Sequence, residues 1–139
     1  MAHTPSLPEL RQHLANATDL LADACVKDLS ALGRFNAAYG ASHALLTAAI
    51  KMRGHRPGHA KGHRQLLFEL LDQLLPAAAA AKPVLSQAHA LRNKAEYDGD
   101  PVNVTPALVS AVLAAVANVD QEVRLAFKTY SANPPGGTR

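Results

Sequence analysis

Apolar residues recur at intervals of three and four along most of this chain, and the prolines and most of the glycines fall between those runs or at their ends. That period places side chains on one face of a helix, and no segment alternates as a half-buried strand would. Leu10, Leu14, Ala17, Leu21 and Ala24 mark a first helix, which opens at Ser6-Leu7-Pro8-Glu9 and runs to about Val26. Ser6 has a capping hydroxyl, Pro8 fits the first turn, and Glu9 stands three residues on, as in a capping box. Leu32, Phe35, Ala38, Tyr39, Ser42, Leu45, Leu46, Ala49 and Met52 predict a second helix, stopped by Gly54. The break between the two falls between Lys27 and Gly33, with no strong local marker.

Residues 54–62 contain three glycines and Pro57 and read as a connection. Leu66, Leu67, Leu70, Leu71, Leu74 and Leu75 predict one third helix, ended by Pro76. The alanines at 77–81 fit either a short helix or a linker. Pro83 starts a fourth helix through Ala95, stopped by Asp98-Gly99-Asp100-Pro101. Thr105-Pro106 caps a last helix carrying Val109, Val112, Val116, Val119, Val123, Phe127 and Tyr130. With aromatics at 4% and no tryptophan, the core must be built mainly of Ala, Leu and Val. Short connections favour antiparallel neighbours. The expected fold is therefore all-α, an up-and-down bundle of about five helices, as one domain over residues 1–130 with a flexible tail at 131–139.

Cys25 is the sole cysteine, so no disulfide forms within the chain. Neither a basic-then-apolar leader nor an apolar run near 20 residues is visible, and the expectation is a cytoplasmic protein that does not span a membrane. Lys51, Arg53, Arg56, Lys61 and Arg64 crowd into 14 residues that hold no acid, although the whole chain carries a formal charge of only +3. Such a cluster is a candidate nucleic-acid-binding surface, and equally a solvated basic loop. No aromatic side chain interrupts it, so base stacking has no support there. His55, His59 and His63 are spaced four apart like metal ligands, but Pro57, Gly58 and Gly62 break the helix that would align them, and no acid or cysteine completes a site. No metal or cofactor is expected.

Three segments together resemble the HEPN superfamily, in particular its uncharacterised bacterial branch. Arg34-Phe35-Asn36-Ala37-Ala38-Tyr39-Gly40-Ala41-Ser42-His43-Ala44-Leu45-Leu46 is similar to the branch's second-helix signature. Gly58-His59 and Gly62-His63 stand where the branch often has a glycine–histidine pair. Leu91-Arg92-Asn93-Lys94-Ala95-Glu96-Tyr97-Asp98-Gly99 resembles its LRxxADYG motif. The likeness spans roughly residues 15–127. It implies a helical homodimer, a nucleotidyltransferase-like antitoxin partner, and metal-independent RNA cleavage within a toxin–antitoxin or defence system. The family's active motif is an arginine followed four to six residues later by a histidine. Arg92 matches the arginine and Asn93 the polar residue after it, but Tyr97, Asp98 and Gly99 fill the positions open to the histidine. The usual acid–base residue is therefore missing.

Metal-free cleavage of RNA needs a base for the 2′-hydroxyl, a cation for the phosphorane and an acid for the leaving oxygen. Arg92 suits the cationic role, and its competing reading is an ion pair with Glu96 one turn on. Tyr97, with an ordinary pKa of about 10, is a poor acid–base group and a fair hydrogen-bond donor. His89, three residues before Arg92, lies near the same helix face and is the nearest substitute base; His43, in the second helix, is another. The catalytic candidates are thus Arg92, Asn93, Tyr97 and His89. The alternative is a catalytically inactive dimeric helical module that binds or scaffolds.

Overall fold

The computed structural model describes residues 4–55 and 63–134, with backbone alone for His63 and Arg64. The described residues are all-helical. In chain order the elements are α1 (Leu7–Ala24), α2 (Ala31–Met52), α3 (His63–Glu69), α4 (Leu71–Leu74), a 3₁₀ turn (Pro76–Ala78), α5 (Ala81–Tyr97) and α6 (Pro106–Ala132).

Most helix ends follow from local chemistry. The Ser6 hydroxyl accepts from Glu9 N–H at 3.1 Å, and Thr105 accepts from Leu108 N–H at 3.1 Å with Pro106 at the first position. At the end of α2, Gly54 takes φ 84°, its N–H bonds the Lys51 carbonyl, and His55 N–H reaches back to Ile50. That six-to-one closure is the glycine stop expected there. Gly99, at φ 70°, turns the chain after α5.

Three boundaries differ from expectation. Helix α1 ends at Ala24, two residues early, because Ser30 caps α2 by accepting from Gly33 N–H at 2.9 Å, so the chain between them is a turn. Arg34 then reaches back and donates to the Ala24 carbonyl at 2.8 Å, satisfying the end of a helix with no basic residue in its own last turn. The leucine-rich third helix is not continuous: it breaks at Leu70 into α3 and α4. The bend lets Leu67, Phe68 and Leu71 point inward while Leu75 and Ala78 close the next layer; Leu66, counted in the stripe, is 48% exposed. Finally, α6 takes in Ser131 and Ala132, so the end of the chain beyond the helix starts at Asn133, and residues 135–139 lie outside the described residues.

Cross-links fix the helix directions. Lys51 meets Glu9, Arg92 meets Asn36, and Arg124 meets the Leu14 carbonyl and Thr18. Helices α1 and α5 therefore run one way and α2 and α6 the other. Phe68 packs on His89, and Asp72 pairs with Lys82 at 3.1 Å, so the α3–α4 arm descends along α5. Helix α2 lies in the middle, and Leu45 to Ile50 is an unbroken buried run, as a helix enclosed by neighbours requires. Around it sit Leu10, Leu85, Val109, Val112, Val116 and Val119, all fully buried. No helix among the described residues is long and apolar enough to cross a membrane.

Replacing Ser30 by Ala removes the side-chain cap at the start of α2 and should cost about 1 kcal/mol of stability, while Ser30→Asp should retain it. Urea denaturation followed by circular dichroism checks the pair.

Candidate functional site

The polar groups singled out on α5 fall on one face because His89, Arg92, Asn93 and Glu96 are spaced three and four apart. They divide into two environments. His89 is 9% exposed, its Nδ1 2.8 Å from the Tyr39 hydroxyl and its Nε2 3.2 Å from the Asn93 amide nitrogen. An amide nitrogen only donates, so Nε2 accepts and the ring proton sits on Nδ1, facing the Tyr39 oxygen. The imidazole also lies 5.3 Å from the Phe68 ring. Both nitrogens are thus hydrogen-bonded within the protein.

Arg92 turns the other way, toward α2. Its Nη1 donates to Asn36 Oδ1 at 2.7 Å, its Nη2 to Glu96 Oε1 at 3.4 Å, and its guanidinium carbon stands 5.0 Å from the centre of the Tyr39 ring. The side chain is 26% exposed, so this is a half-sheltered cross-brace between helices, with cation–π support. Tyr97 lies five residues on, about 140° around the helix from Arg92, and is 64% exposed. The structure therefore joins His89 and Asn93, sets Arg92 beside them but aimed at α2, and leaves Tyr97 on a different face. Asn36 and Tyr39, the partners on α2, figure in the sequence only as part of the second-helix signature and not as site residues. Their signal was polar residues three apart inside a small, apolar segment.

Of the basic cluster, two side chains lie among the described residues, those of Lys51 and Arg53. Lys51 is held 2.6 Å from Glu9 and 2.9 Å from His13 Nε2, with 16% of its side chain exposed. Arg53 donates to the carbonyls of Gln73 and Leu74, at 3.4 and 3.1 Å, and so closes the end of α4. These two cations brace the fold and do not stand out as a phosphate-facing patch. Arg56 and Lys61 lie outside the described residues, as do His59 and the side chains of His63 and Arg64. Among the described residues no group of three or more His, Cys, Asp or Glu side chains is placed to hold a metal ion.

Beside His89 and Asn93, a cleft of about 220 Å³ opens between α3 and α5. Gln65, Phe68 and Glu69 form one wall and Ser86, His89, Ala90 and Asn93 the other. A second hollow of similar volume, between the ends of α2, α4 and α6, is mainly apolar, and Arg53 at its edge is engaged as described. Searches against protein-family models, curated proteins and solved structures find no match to this chain.

Burial, reinforced by the neighbouring Lys51 charge and opposed by Glu9, holds the His13 pKa below its ordinary value of 6.5. The unfolded chain takes up that proton near 6.5 while the folded chain resists it, so His13 disfavours the fold as pH falls below 6.5 toward its depressed folded value. The stability of His13→Gln should therefore fall less than that of the parent between pH 7 and pH 5, in paired urea titrations.

Proposed function

We propose that this chain is a non-catalytic helical binding module of the HEPN type, acting as a homodimer, and not an RNA-cleaving enzyme. The observation that carries this reading is the Arg92 guanidinium, gripped by Asn36, Glu96 and the Tyr39 ring. A phosphorane-stabilising cation must meet its oxygens without first leaving better partners. Arg92 would have to give up a 2.7 Å charge-assisted bond and expose a buried tyrosine face. His89, the nearest replacement for the missing motif histidine, has both ring nitrogens hydrogen-bonded, to Tyr39 and Asn93. Positions 97 to 99 supply Tyr, Asp and Gly in place of a base. Support for the dimer and for the family comes from the sequence resemblance.

Purified protein incubated with a mixed RNA pool, with and without chelator, should cleave no faster than buffer. Arg92→Ala should leave RNA untouched and destabilise the fold by about 1–2 kcal/mol, through the lost bond to Asn36. Asn36→Ala should be non-additive with it, since each removes the same contact. RNA cleavage by the parent that disappears in a still-folded Arg92→Ala protein would overturn the reading. Light scattering checks the dimer independently, and a monomer at micromolar concentration would remove that element.

A further inference from the structure

The α3–α5 cleft has a polarity that follows from how its own side chains bond to one another. Gln65 Nε2 donates to Glu69 Oε1 at 3.0 Å, and the Asn93 amide nitrogen is turned onto His89. Each amide therefore has one of its two N–H donors engaged inside the protein and its carbonyl oxygen available. Glu69 retains its second carboxylate oxygen, and the Ser86 hydroxyl forms no hydrogen bond with another described residue. The cleft thus gathers acceptors: one carboxylate oxygen, two amide oxygens and a hydroxyl. The formal charge among its lining side chains is the single negative charge of Glu69. Phe68 and His89, their rings tilted 42° to one another, supply an aromatic base, and Ala90 at the rim adds only one methyl group.

An acceptor-rich, singly negative hollow selects a cation that donates several hydrogen bonds in a plane. We infer that this cleft binds a guanidinium group, either of a small free molecule or at the tip of an arginine side chain from a partner. A guanidinium presents five N–H donors in a rigid fork and pairs well with a carboxylate and adjacent carbonyls. Its planar face suits an aromatic floor. The volume, about 220 Å³, is below the usual range for drug-sized ligands and matches one side chain or a molecule of that size. This assignment goes beyond the binding-module reading: its acceptors are Gln65, Glu69, Ser86 and Asn93, none of which bonds Arg92, and it shares only His89 with that reading.

The test is a titration of ¹⁵N-labelled full-length protein followed by amide chemical shifts. N-ethylguanidinium should shift the signals of residues 65–69 and 86–93 saturably, with a dissociation constant on the order of 1 mM. Tetramethylammonium has the same charge and no N–H donor, and should leave them in place. Glu69→Gln, at an exposed position, should weaken binding about tenfold or more. Ala90→Leu fills the exposed rim and should abolish binding, with signals outside α3 and α5 unchanged as the control for folding. A capped peptide with one central arginine separates the two sources. Tighter binding than N-ethylguanidinium indicates a protein partner, and equal or weaker binding a free small molecule. The assignment fails if no saturable shift occurs up to concentrations on the order of 50 mM, if tetramethylammonium binds equally, or if Glu69→Gln retains full affinity.

Discussion

A buried polar side chain is costly unless it is hydrogen-bonded, and α2, enclosed on several sides, carries several. Tyr39, 3% exposed at the centre of α2, is where this condition bears hardest. Its hydroxyl meets His89, and its ring lies beside Phe35, Phe68 and the Arg92 guanidinium. Those contacts dictate the register between α2 and α5 and the side on which the short α3 packs. The same condition governs the far end of α2, where Lys51 is placed between Glu9 and His13. Lys51, the first cation of the basic stretch, becomes an internal tie because the helix that carries it packs against α1.

Much of the architecture was legible because it is written locally. A serine or threonine before an apolar run, proline in a first turn and glycine after a last one act within four residues, and Ser6, Thr105, Pro106 and Gly54 all act where the sequence places them. The start of α2 was less legible, since Ser30 is followed at the third position by Gly33 and so lacks the reciprocal acid of a capping box. The break at Leu70 could not be read either. Six leucines at helical spacing describe one straight helix equally well, and only packing against two different neighbours bends it.

The candidate site was legible in its membership and not in its direction. His89, Arg92 and Asn93 share a helix face, which spacing alone reveals. Which way each side chain turns depends on Asn36 and Tyr39, more than fifty residues earlier for the first and fifty for the second. Periodicity carries no information about such distant pairings. An arginine that matches a catalytic motif and an arginine that staples two helices look identical in sequence. The identity of its hydrogen-bond acceptors separates them, and here they are an amide and a carboxylate of the protein itself.

The corner between α1 and α2 has a bearing on how the chain assembles. Its ties are short-range: Ser30 to Gly33, and Arg34 to the Ala24 carbonyl only ten residues away. Closing such small loops costs little entropy, whereas the Tyr39–His89 junction encloses fifty residues. By contact order, the first two helices form a hairpin early and α5 docks late. Until it docks, the aromatic cluster at the middle of the bundle is wetted on one side, so the nascent chain passes through a stage with a sticky, unfinished face.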